Sequence, residues 1–198
     1  MSERLGIQCQ CGTVKGRINQ RAFQRHNHLI CYCRDCQAFA RHLGGDNTMD
    51  SNGGTEIVQV SCADVTITEG QDSLACIRLA EGGLVRWYAS CCNTPVCNAP
   101  GVDLPFVGLI HTCLQPAQLV KDSFQPVSFI AFTGGATGDD KPKSRGMPLG
   151  LVRFLLLALG ARFRGDGKRH PLFLQTGEPK VTPTVLNAAE RALLYPVP

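Results

Sequence analysis

Leu29-Ile30-Cys31-Tyr32-Cys33-Arg34-Asp35-Cys36 is an apolar pair running into a CxCxxC triplet of thiols, and its reading decides what the rest of the chain must build around. Three cysteines within six residues can bring their thiolates onto one tetrahedral zinc ion, leaving a fourth position for water or an incoming ligand. Zinc bound by thiolates alone is electron-rich. It serves better at holding another thiol as its thiolate than at making a strong hydroxide. Asp35 to Leu43 reads as a short helix whose first N–H groups would point at the sulfurs and lower their pKa further. Three reduced thiols in a turn, or a redox switch, is the competing reading of the same triplet.

Upstream, Cys9-Gln10-Cys11-Gly12 places two more thiols in a tight turn, where Gly12 lets the backbone wrap a metal ion. The other half of such a site must come from afar. Cys91-Cys92-Asn93-Thr94 follows a predicted strand and carries Asn where a left-handed residue is needed. Successive side chains tend to diverge, so Cys92 is the expected third ligand and Cys91 the doubtful fourth. Cys76 and Cys113 sit in apolar runs and read as buried small hydrophobes. His26, His28 and His111 lie near these runs, but histidine is more often a surface or satisfied core residue, so none joins the ligand set.

The whole chain frames these motifs. It has 198 residues, enough for one domain with an appendage, and 11 cysteines, an odd number that precludes complete internal pairing. Met1 to Ile18 contains no apolar run of signal-peptide length, so a reducing, cytoplasmic location is expected and thiol clusters point to metal. With 20 Lys+Arg against 16 Asp+Glu, the net charge of +4 is too small alone to announce nucleic-acid binding, and none is expected.

Short β-prone runs separated by turns fill residues 5–132: Thr13–Ile18, Ile57–Val60, Val65–Thr68, Leu74–Leu79, Leu84–Tyr88, Phe106–Ile110 and Val127–Phe132. The expectation is a mainly β, antiparallel domain over 1–132. Residues 133–148, rich in Gly, Pro and charge, read as a mobile linker, and 149–198 as a helical C-terminal extension. Leu149–Phe163 is apolar on nearly every face, which predicts a buried helix, with a partner-facing or membrane-surface helix as the alternative. At about fifteen residues it is short of the ~20 that a transmembrane segment needs. It also offers a surface for homo-oligomer formation.

In these motifs the chain resembles the glutathione-dependent formaldehyde-activating, or centromere protein V-like, family. That pattern is a CxCG turn, a CxCxxC run about twenty residues on, and an apolar strand leading into F-C-x-x-C-G-[ST]. Tyr88 to Thr94 match the last, with Arg86 two residues before Tyr88. The resemblance spans residues 5–110. It implies an Mss4-like β-sandwich with zinc-binding turns, a labile, substrate-side Zn2+ on Cys31, Cys33 and Cys36, and a structural Zn2+ on Cys9, Cys11 and Cys92. Ala89 and Asn93 stand where the pattern has cysteine and glycine, which removes the fourth structural ligand in register. The implied function is carbon-sulfur lyase-like chemistry on a thiol-aldehyde adduct of the S-hydroxymethylglutathione type, with a small thiol such as glutathione as partner. A non-catalytic zinc domain that binds a macromolecule is the alternative, and a redox or metal-buffering protein a third reading. No catalytic acid or base is identified: Tyr32, Arg34 and Asp35 are merely close to the triplet.

Overall fold

The computed structural model describes residues 5–195. The first and last few residues of the expected domain bounds, 1–4 and 196–198, lie outside the described residues. Runs of β-branched and aromatic residues, each stopped by a turn former, give short strands. In chain order these are β1 (Gly6–Gln8), β2 (Lys15–Ile18), β3 (Asn27–Cys31), β4 (Thr55–Ser61), β5 (Val65–Glu69) and β6 (Leu74–Arg78). Then follow β7 (Val85–Ala89), β8 (Thr94–Ala99), β9 (Phe106–Ile110), β10 (Leu114–Gln115), β11 (Phe129–Ala131) and β12 (Thr184–Val185). The α-helices are α1 (Gln20–Gln24), α2 (Arg34–His42), α3 (Val120–Ser123), α4 (Met147–Phe163) and α5 (Ala188–Leu194).

The chain is mainly β. A small sheet runs β10-β1-β2-β5 and a large one β11-β3-β4-β9-β8-β7-β6-β12. Their pairs are antiparallel except at the two edges of the large sheet, where β11 joins β3 and β12 joins β6 in parallel. Both parallel strands come from the chain after residue 128, which returns to the sheet by long connections, as parallel pairing requires.

Alternation along the strands of the large sheet divides its side chains between two covered faces. Val58, Val60, Val85, Trp87 and Leu109 join Ile7, Val65 and Leu114 of the small sheet in one core. On the opposite face Ile77 and Ile110 pack with Phe39 and Leu43 of α2. With both faces covered, β8 is buried at every position, and its residues show no alternation to be read.

The long helix is where expectation and structure differ. Only Gly150, Ala158 and Ala161 of α4 are buried, and its leucines face outward. The cause is close approach. A side chain at Gly150 would run into the Phe129 ring, the Gly150 carbonyl accepts a hydrogen bond from Asn27 Nδ2 at 3.1 Å, and Phe154 meets Phe106 edge-on at 4.9 Å. The small residues lie against the sheet, so the large ones cannot. Before the helix, segment 133–148 is held by Asn52, whose Nδ2 donates to the carbonyls of Thr137 and Asp140 at 3.0 Å, and by Ile130 N–H bonding to the Arg145 carbonyl.

After α4 the chain is anchored through Asp166, which is fully buried. Ser61 Oγ donates to Oδ2 at 2.7 Å, Arg164 Nη2 to the same atom at 2.8 Å, and Arg169 Nη2 to Oδ1 at 2.8 Å. Arg21 approaches at 3.5 Å. Burial by itself would raise the carboxyl pKa, but the Ser61 hydrogen bond and the Arg164 and Arg21 charges outweigh it and hold it below the ordinary value. Its contribution is therefore present above the unfolded carboxylate pKa and lost as pH falls through the lower folded one. Asp166→Ala should destabilise the fold by about 2 kcal/mol, read as a lower urea midpoint with unchanged slope at pH 7, and the gap from the parent should narrow under strong acid.

Candidate metal centres and a thiol-lined cavity

Sheet geometry brings the first four thiols together. Cys9 and Cys11 stand in the β1–β2 turn, where Gly12 takes φ 78°, and Cys91 and Cys92 in the β7–β8 turn, where Asn93 takes φ 54°. The second turn is closed by Cys92 N–H to the Ala89 carbonyl at 3.3 Å, and it points both adjacent thiols the same way. Cys91 Sγ lies 3.2 Å from Cys11, 3.9 Å from Cys9 and 3.8 Å from Cys92, and Cys9 lies 3.5 Å from Cys11. Four thiolates at ~2.3 Å from one tetrahedral ion would stand about 3.8 Å apart. The donor set fits a metal ion and is too widely spaced for disulfides. Cys91 thus stands with the other three thiols, whereas Ala89 is buried on β7.

The CxCxxC triplet forms the second group. Cys31 ends β3 and Cys33 caps α2, its sulfur accepting from Cys36 N–H at 3.4 Å. Cys36 Sγ stands 3.7 Å from Cys31 Sγ, and the three ligand atoms lie within 4.8 Å of one another. This group too could hold a metal ion. Hydrogen bonds from Cys31 and Cys36, with the Cys36 amide and the charge of Arg86 adding to them, hold the Cys33 thiol far below its ordinary pKa despite its burial. The Cys31 thiol is raised in turn. In the first group Cys11 falls to about 6 through its hydrogen bonds with Thr13 and its neighbouring thiols.

The triplet faces a cavity. It borders a recess of about 400 Å³, within the range of small-molecule sites. The polar floor is one row across the large sheet: Arg86 pairs with Asn98 in register, Asn98 with Gly108, and Gly108 with Gln59. Gly108 keeps the floor low, because a Cβ there would meet Ile57 at 3.0 Å. Arg86 is 3% exposed. Its guanidinium donates to Asn98 Oδ1 at 3.1 Å, lies over the Phe39 ring at 5.7 Å and reaches Cys36 Sγ at 4.0 Å. Its nearest carboxylate, the exposed Asp35, is 3.7 Å away. A buried cation with so little neutralisation favours a thiolate beside it.

At the mouth stands Phe132, 61% exposed and in the left-handed conformation at φ 57°, a strained state for an aromatic residue. Asp35, which lines the recess, accepts at Oδ1 from Tyr195 Oη at 2.6 Å, with Arg34 over the Tyr195 ring. Tyr32, by contrast, directs its hydroxyl to Asp50 Oδ2 at 2.6 Å and is absent from the cavity wall.

The family model for a family of unknown function, DUF6151, matches residues 1–181. The chain belongs to this family. The matched region contains both thiol groups and the cavity floor, whereas β12, α5 and Tyr195 lie beyond it. No curated protein matches the chain. A crystal structure of a Rhodobacter sphaeroides protein is similar over 60% of this chain and 96% of its own, at 17% identity and a TM-score of 0.39.

The structure brings together every thiol expected to bind metal: Cys9, Cys11 and Cys92 in one group, Cys31, Cys33 and Cys36 in the other. Cys76 and Cys113 are buried among apolar neighbours, as expected. His28 bonds Glu56 and the Gln125 carbonyl, away from both groups. What the motifs did not reveal is the role of Arg86, Asn98 and Phe132. An arginine in a strand of alternating polarity reads as solvent-facing, and only the pairing of β7 with β8 places it on a buried floor.

Elemental analysis of the protein as purified should find metal on both groups. Cys91→Ser and Cys33→Ser should each lower the content by about one ion per chain. Chelation should speed amide exchange in the β1–β2 and β7–β8 turns together, because metal binding and local folding are coupled. Equal metal content in Cys91→Ser would remove Cys91 from the ligand set.

Proposed function

We propose that Cys31, Cys33 and Cys36 hold zinc and that the adjoining cavity binds a small thiol through its sulfur, serving reversible formation or cleavage of a carbon-sulfur bond to an aldehyde carbon. The observation that carries this reading is the juxtaposition of three thiols with a buried, under-neutralised Arg86 in one apolar-walled recess. Supporting it is the order of the CxCG, CxCxxC and Cys91-Cys92 motifs, which resembles the formaldehyde-activating family and with it an Mss4-like arrangement of the two sheets. The four-thiol group, borne on two turns, suits a structural zinc.

Zinc on three thiolates would supply stabilisation of a ligand thiolate at neutral pH. The chain's own residues do the rest. Arg86, held by Asn98 and Phe39, presents positive charge to the sulfur side of the recess. Leu29, Ile57 and Phe106 exclude water, which strengthens that attraction. In the reaction the sulfur-carbon bond forms, the thiol proton ends on the former carbonyl oxygen, and nothing is oxidised or reduced. The eleven unpaired cysteines support a reducing compartment such as the cytoplasm.

Calorimetry on the zinc-loaded protein should show glutathione binding at least tenfold more tightly than S-methylglutathione. Arg86→Met should weaken glutathione binding on the order of tenfold while retaining metal, since a charge-assisted contact is worth about 1.5–3 kcal/mol. Exchange NMR of formaldehyde with glutathione should speed up when the protein is added. If thiol and S-methyl compound bind alike, or neither binds to zinc-loaded protein, the domain is a non-catalytic one that serves a macromolecular partner.

A further inference from the structure

The outward face of α4 has no part in either thiol group. Leu149, Val152, Leu155, Leu156, Leu159 and Phe163 fall on one side of the helix at three- and four-residue spacing, and all are exposed, Leu156 by 68% and Phe163 by 88%. A continuous stripe of this kind on a helix already fixed to the sheet marks an interaction surface. The geometry points to an anionic lipid surface as its partner: α4 lies flat in the headgroup region, with its leucines and Phe163 among the acyl chains.

Charge decides between occupants. Helical spacing puts Arg153 on one margin of the stripe, where a long cationic side chain can reach phosphates while its stem follows the apolar face, and Arg162 on the other, where it donates to the Asp103 carbonyl at 3.0 Å. Lys141, Lys143 and Arg145 precede the helix and Lys168 follows it, while Arg164 and Arg169 are engaged by the buried Asp166. No Asp or Glu occurs from Lys141 to Gly165, and Asp166 beyond is buried in its own ion pairs. Beside Leu156, Arg25 and Arg153 also line a cleft of about 440 Å³, large enough for a phosphate headgroup, and neither takes part in a salt bridge among the described residues. A second copy is a poorer fit, because a two-fold pairing of α4 with α4 would set its arginines against each other with no acid on the helix to offset them. Spanning is excluded by length: among the described residues no helix is long and apolar enough to cross a membrane, and seventeen residues extend about 26 Å against a hydrocarbon layer of roughly 30 Å.

The test is co-sedimentation of the full chain with vesicles of phosphatidylcholine alone and of phosphatidylcholine with phosphatidylglycerol, alongside sedimentation velocity without lipid. The protein should partition into the anionic vesicles at least tenfold more strongly than into the neutral ones, and raised salt should weaken that binding. The double variant Leu156→Glu, Leu159→Glu should abolish partition. Arg25→Gln with Arg153→Gln, which leaves the stripe intact, should reduce it on the order of tenfold or more, at about 1 kcal/mol per cation. All of these positions are at least partly exposed, so circular dichroism should match the parent. No partition into anionic vesicles, or equal partition into both kinds, would overturn the proposal. A dimer that the glutamate variant dissociates, with no vesicle binding, would give the face to a second copy instead.

Discussion

Four sulfur atoms stand together where turns of two sheets that share no strand meet. Cys9 and Cys11 belong to the small sheet's first turn, Cys91 and Cys92 to the turn between the two strands that carry Arg86 and Asn98. The ends are some eighty residues apart, so bringing them together has an entropic cost that grows only slowly with loop length. What makes the junction demanding is its chemistry, because four thiols packed at 3.2–3.9 Å would all become thiolates together only around a common cation. The β7–β8 turn that carries Cys91 and Cys92 joins the two strands of the recess floor, and the register shifts once, between Trp87 and Tyr88, before Arg86 meets Asn98.

The two thiol groups differ in surroundings more than in ligand type. One is carried by two turns and offers four donors of its own. The other has three, sits at the junction of β3 with the start of α2, and faces a recess whose floor carries an almost unpaired guanidinium. Burying that charge would be costly for a domain concerned only with stability. Its place beside Cys36 fits the proposed binding of a sulfur ligand, as a preorganised electropositive site.

Legibility in the sequence followed the physics of each element. Phe106–Ile110 was readable to the residue because turn formers bound an apolar run. β8 was missed, since burial on both faces erases the alternation and Pro95 and Asn98 argue against a strand. α5 was missed although Asn187 and Glu190 form a capping box, a signal present in the sequence as N-x-x-E. The grouping of Cys31, Cys33 and Cys36 was legible from their local spacing, whereas the place of Cys91 beside Cys9, Cys11 and Cys92 became clear only once Asn93 was seen to turn the chain through a left-handed conformation. The orientation of α4 was hidden for a different reason: a helix apolar all round has no polar face to say which side is wet, and the small residues at 150, 158 and 161 decide it.

One lining residue of the recess is held from outside it. The thiols, Arg86 and Asn98 stand within the residues that match the family, whereas Tyr195, which bonds Asp35, comes from a segment beyond that match. Asp35 is where the two meet, shared between the Tyr195 hydroxyl and the Arg86 guanidinium. Loss of the Tyr195 hydroxyl would therefore free Asp35 to turn toward or away from Arg86 and change the charge in the recess without touching either thiol group.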